Sequence, residues 1–126
     1  MRTIVLDMQS ALYAKALRRS LTQELEDCNV VISGSPRDTV SECRAVKPYA
    51  LLMEVTEYSP WTITERLALR DSVKSGVPEC RIVFIVDESN RALAAQVTRA
   101  KQDGLIDAFL FSSASESYLA AVLDSL

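Results

Sequence analysis

Five times along the chain, a short apolar run gives way to a stretch whose apolar residues recur at helical spacing. The runs are TIVL (Thr3–Leu6), NVVI (Asn29–Ile32), YALLM (Tyr49–Met53), RIVFIV (Arg81–Val86) and IDAFLF (Ile106–Phe111). They are rich in β-branched and aromatic residues and lack the polar alternation of a sheet with one wet face, so they read as strands covered on both sides. Between them, apolar residues fall on single helical faces: Ala14, Leu17, Leu21 and Leu25; Val40, Cys43 and Val46; Ile63, Leu67 and Val73; Leu93, Val97 and Ala100; Leu119, Val122 and Leu123. Start signals precede each face. Ser10, Ser89 and Ser113 (with Glu116) are cap residues, Ser35-Pro36 places proline in a first turn, and Thr62 with Glu65 forms a capping box. Pro48, Gly76 with Pro78, and Gly104 supply stops. Strict alternation of this kind implies a parallel sheet with helices on both faces. With right-handed crossovers the fold class is α/β, a doubly wound three-layer α/β/α sandwich. No linker or repeat interrupts the pattern, so residues 1–126 are expected to form one domain.

Composition removes several function classes. A formal charge of −3 gives no footprint for nucleic acid and no polybasic anchor. No segment approaches the roughly 18 apolar residues of a membrane span, and Asp7 interrupts the only apolar run near the N-terminus, so a cytoplasmic location is expected. Cys28, Cys43 and Cys80 lack CxxC spacing and read as free thiols. Histidine is absent, which removes imidazole catalysis and imidazole metal ligation. Three glycines without GxGxxG or P-loop spacing provide no nucleotide cradle, and no enzymatic activity is expected.

In an open parallel sheet, ligands and chemistry gather beyond the carboxyl ends of the strands. The residues there are Asp7 and Met8, Ser33 and Gly34, Glu54 to Glu57, Asp87 and Glu88, and Ser112 and Ser113. This is an acidic rim, and Glu54 stands where the third strand should end.

The length, the fivefold alternation and the stretch VKPYALLMEVTEYSP together resemble the receiver domain of two-component response regulators over essentially the whole chain. The resemblance implies a flavodoxin-like sheet of five parallel strands in the order 2-1-3-4-5. It places Glu54 at the phosphoacceptor position and Asp7-Met8 at the acidic pair that holds Mg²⁺. Val86 falls at the switch hydroxyl, Phe109 at the switch aromatic and Ser112 at the lysine. Four of these positions depart from the family pattern, and each departure has a physical meaning. Phosphoryl transfer rests on positioning and on neutralising developing charge. Glu54 carries an extra methylene, and a single Asp7 is a poorer Mg²⁺ ligand set than two carboxylates. Val86 has no hydroxyl, and Ser112 has no positive charge.

The resulting expectation is an atypical receiver, a pseudo-receiver in two-component (phosphorelay) signal transduction. It acts through protein contacts without phosphorylation and without a cofactor. Its partners are a signalling protein and a second copy of itself, with no direct nucleic-acid or membrane binding. The expected dimer face comprises the fourth helix (Arg91–Lys101), the fifth strand (Asp107–Phe111) and the fifth helix (Tyr118–Leu126), with Arg91, Arg99 and Lys101 set against Asp107 and Asp124. Asp7 and Glu54 are expected to share one degenerate acidic pocket with Met8. The alternatives are phosphorylation at Glu54 or Asp7 with Mg²⁺, and a flavodoxin-like domain that binds a small ligand or a metal through Asp7 and Glu54.

Overall fold

A computed structural model describes every residue, Met1–Leu126. Five strands, β1 (Arg2–Asp7), β2 (Cys28–Ile32), β3 (Ala50–Glu54), β4 (Arg81–Val86) and β5 (Ala108–Phe111), alternate with five helices. These are α1 (Ala11–Glu24), α2 (Pro36–Val46), α3 (Ile63–Gly76), α4 (Arg91–Gln102) and α5 (Glu116–Asp124). All strand pairings are parallel, as the alternation leads one to expect, and the sheet order is β2-β1-β3-β4-β5, as the family resemblance implies.

Strand alternation divides the core in two. Ile4, Leu6, Ala50, Leu52, Val83 and Ile85 point to the side covered by α1 and α5. Val5, Leu51, Met53, Ile82, Phe84 and Val86 point to the side covered by α2, α3 and α4. Both sets are essentially solvent-free, and each such side chain contributes on the order of 1.5–3 kcal/mol by leaving water. Because the period is two, adjacent residues at a strand end are sent to opposite layers.

Local signals place most element ends. Ser10 Oγ accepts from Tyr13 N–H, and Thr62 Oγ1 accepts from Glu65 N–H while donating to the Glu65 carboxylate at 2.7 Å. Four expectations shift. The cap of α4 is Asn90, whose side chain accepts from Leu93 N–H, because the Ser89 hydroxyl donates to Asp87 instead. The cap of α5 is Ser115, because the Ser113 hydroxyl donates to Glu88. Val46, expected inside, is 41% exposed in the last turn of α2, and Thr39 takes the inward position with Cys43. β5 also begins two residues later than Ile106; Asp107, just before it, donates its N–H to the Ile82 carbonyl and accepts from the Ile82 N–H through its side chain. Gly104 turns the chain after α4 at φ +75°, a left-handed conformation that a side chain would strain.

Candidate functional site

At the carboxyl edge of the sheet, Asp7 and Met53 are paired in register, and Glu54 follows Met53. The two carboxylates therefore leave their strands in opposite directions. Glu54 alternates with Leu52 and turns toward α1. Its Oε1 accepts from the backbone N–H groups of Gln9 (2.7 Å) and Ser10 (3.2 Å). These amides lead into α1, where free N–H groups and the helix dipole favour an anion.

Asp7 alternates with Val5 and turns toward α2 and α3. Its carboxylate is 1% exposed and accepts from Thr39 Oγ1 at 2.7 Å, and Thr39 in turn meets Ser33 Oγ at 2.8 Å. Its counter-ion is Arg66 of α3, which is fully buried. Arg66 Nη1 lies 2.8 Å from Asp7 Oδ2, an ion-pair contact without an aligned hydrogen bond. The same guanidinium donates from Nη2 to the Asp7 carbonyl and from Nε to the Glu54 carbonyl, each at 2.8 Å. One arginine thus ties the ends of β1 and β3 to α3.

The expected shared acidic pocket does not form. The carboxylates of Asp7 and Glu54 have no partner in common, and Met8 packs into the apolar layer under α1 and α5. Strand alternation explains this: Asp7 precedes the position that faces Glu54, and that position is Met8. No group of three or more Asp, Glu or Cys residues is gathered in a metal-binding arrangement.

A cleft of about 530 Å³ opens over this edge. The start of α1, the loop after β3, the end of β4, the start of α4 and Ser112 line it. Glu54 is on its wall; Asp7 and Met8 are not. Val86 is buried (1% exposed) and contributes its apolar side chain to the floor. Ser112 is exposed, and its N–H donates to the Val86 carbonyl at 3.0 Å. The Ser89 N–H and hydroxyl hold Asp87 below the usual carboxylate range. Burial, with a smaller effect from the charge of Glu54, raises the Tyr13 hydroxyl above the ordinary tyrosine value.

Phe109 is half-buried, with its ring edge-to-face against Phe111 at 5.8 Å between centroids. It adjoins an apolar groove formed with Phe111, Ala114, Tyr118 and Val122, which Lys101 borders. Within one chain, three groups of the expected charged dimer pairing already have ionic contacts. Asp124 is taken by Arg2 at 2.6 Å, Asp107 lies 3.9 Å from Arg81, and Arg99 lies 3.7 Å from Asp103. Apolar side chains, not ion pairs, dominate that face.

Arg66 is the residue that sequence reasoning missed. Ile63, Arg66, Arg70, Val73 and Val77 recur at spacings of three and four, so an arginine occupies the core stripe of α3. A cation there requires a buried anion, and Asp7 at the end of an apolar strand was the available one.

No protein-family model matches the sequence, and no curated protein matches it. Solved structures do match along nearly the whole chain. A CheY-like protein (tadZ) from Pseudomonas aeruginosa superposes with a TM-score of 0.72 at 19% identity, covering 99% of this chain and 92% of that one. A response regulator from Thermotoga maritima gives 0.77 at 14%, covering 99% and 96%. A CheY-like response regulator receiver domain protein from Methanospirillum hungatei gives 0.78 at 10%, covering 99% and 92%. The chain has the receiver fold.

Proposed function

We propose that this chain is an atypical response-regulator receiver domain that signals through protein contacts and is not switched by phosphorylation. One observation carries the reading: Asp7, the acid retained from the family's pair, is buried against Arg66 on the opposite side of the sheet from Glu54. The internal guanidinium already supplies the positive charge that a divalent metal would bring. Glu54 is itself engaged by the start of α1, and its neighbour in the family pattern is the thioether of Met8. Phosphoryl transfer needs an attacking carboxylate, a metal and a cation around one point. Here the carboxylate at Glu54 has neither of the other two. No catalytic role is assigned to any residue.

The test is incubation with acetyl phosphate and Mg²⁺, followed by intact-mass measurement. The expected result is an unmodified chain. A phosphoryl adduct at Glu54 or Asp7 would establish an unconventionally phosphorylated receiver instead.

The groove bounded by α4, β5 and α5 is the contact surface of this reading. The exposed ring of Tyr118 (58% exposed), beside Phe109 and Phe111, offers apolar area to a second copy of the chain. Sedimentation analysis should show self-association that is weakened by Tyr118→Glu and insensitive to beryllofluoride with Mg²⁺. A mimic-dependent shift from monomer to dimer would mean that Val86 and Ser112 still support a switch.

A further inference from the structure

The groove between α4 and α5 offers backbone groups as well as apolar side chains. It measures about 370 Å³ and runs along all four residues of β5. Lys101 of α4 forms one bank, and Ala114, Tyr118 and Val122 of the α5 side form the other. β5 is the last strand of the sheet, so its outer side has no neighbouring strand.

The phase of the ladder decides which groups face outward, because successive residues of a strand turn their backbone groups to opposite sides. Val55 N–H donates to the Ile85 carbonyl, so Ile85 is turned to β3, and Phe84 and Val86 are turned to β5. Ser112 N–H donates to the Val86 carbonyl, which makes Ala108 and Leu110 the residues bonded to β4. Phe109 and Phe111 therefore turn their backbone into the groove. The Phe111 carbonyl is taken by Ala114 N–H at 3.0 Å. The Phe109 N–H, the Phe109 carbonyl and the Phe111 N–H are left without partners. These groups recur every second residue, about 6.6 Å along the strand, which is the repeat of another extended backbone. Apolar side chains make up seven of the eight groove residues and cannot satisfy them. The strand itself, AFLF, has no charge or proline to keep a further strand away.

We propose that an extended segment of a partner protein adds to β5 as a sixth strand. Its backbone exchanges two hydrogen bonds with Phe109 and accepts a third from Phe111 N–H. One row of its side chains is apolar and lies on Tyr118 and Val122. The other row lies on Phe109 and Phe111 and includes an acid that reaches Lys101, which is exposed and in no ion pair. A second copy is a poor occupant in this mode. Two β5 strands paired about a two-fold axis are antiparallel and keep each layer together, so α4 meets α4 and α5 meets α5. α4 carries Arg91, Arg99 and Lys101 without an acid, and α5 carries Glu116 and Asp124 without a cation, so like charges would meet in both layers. The inference rests on the reading of this face as the contact surface and supplies the chemistry of its signalling partner. Strand addition and self-association through Tyr118 use the same groove and exclude one another.

The probe is a capped hexapeptide, Val-Thr-Val-Glu-Val-Thr, added to the full chain and followed by nitrogen-15 NMR and amide hydrogen exchange. At about ten times its Kd, exchange of the Phe109 and Phe111 amides should slow about tenfold, while Ala108 and Leu110 change little. Two further probes carry N-methyl groups on the valine amides or on the threonine and glutamate amides. Only one of them should lose binding, because only one edge of the added strand faces β5. Lys101→Glu, an exposed substitution, should weaken the hexapeptide, and a peptide with lysine in place of its glutamate should restore binding. Unchanged exchange at Phe109 and Phe111, or equal behaviour of the two methylated probes, overturns the proposal. Slower exchange at these amides on raising the protein concentration alone would make the second copy the occupant and overturn the assignment to a partner. Absence of self-association in sedimentation would defeat the dimer without touching the peptide result, so the two failures are distinguishable.

Discussion

Replacing Arg66 by leucine is expected to lower the unfolding free energy by about 3–5 kcal/mol, because it leaves the carboxylate of Asp7 buried without its counter-ion. That is a large share of the roughly 5–15 kcal/mol typical of a domain. The loss exceeds the ion pair alone. Arg66 also donates to the Asp7 and Glu54 carbonyls, so the ends of β1 and β3 lose their shared link to α3. Thr39 remains hydrogen-bonded to Asp7 and softens the defect without neutralising the charge. Urea titrations of Arg66→Leu, Asp7→Asn and the double variant decide the matter. The double variant should recover part of the loss, since it buries no unpaired charge. If Arg66→Leu changed the midpoint by no more than a surface substitution does, the internal-cation account of this site would be wrong.

The same pair shows where sequence reading reaches its limit. The five strands and five helices were legible because apolar periodicity is imposed by the core and repeated in every unit. Element type and the placement of Asp7, Glu54, Val86 and Ser112 at the carboxyl edge followed, while the sheet order came from the family resemblance. Helix starts were less legible. Asp87-Glu88-Ser89-Asn90 offers several capping side chains, and tertiary hydrogen bonds choose among them. Ser113 and Ser115 compete in the same way. The shared Asp7–Glu54 pocket failed for a reason of geometry. Adjacency at a sheet edge does not imply a common face, and with a period of two the retained acid lies on one layer and Glu54 on the other. Arg66 was missed because an arginine is read as surface until the core stripe that contains it is traced along α3.

A second large effect is expected at alkaline pH, in the layer beneath the Asp7 network. Cys43 and Cys80 are both solvent-free there. Burial pushes the Cys43 thiol up to about 12 and the Cys80 thiol up to about 11, against an ordinary value of 9.0. The charges of neighbouring groups act in addition, Cys80 raising Cys43 and Lys74 pulling Cys80 down. Between the unfolded and folded values the unfolded chain has released protons that the folded chain keeps, so stability falls as pH rises. The contribution is complete below pH 9.0 and is lost as pH climbs through about 11 for Cys80 and about 12 for Cys43. Every tenfold tightening of proton binding is worth about 1.4 kcal/mol, so the two thiols together give stability a steep alkaline slope. Urea midpoints measured at pH 8 and pH 11 should therefore drop steeply in the natural sequence and less in Cys43→Ala. At pH 8 the alanine variant starts lower, because it loses packing volume, and the two curves should converge as pH rises. Parallel curves would mean that the thiols do not carry the alkaline slope. Alkylation gives the complementary readout: at pH 8 a neutral, buried thiol is a poor nucleophile. Cys43 and Cys80 should react with iodoacetamide only as fast as the chain unfolds, and their labelling should accelerate in Arg66→Leu, where the same layer is weakened.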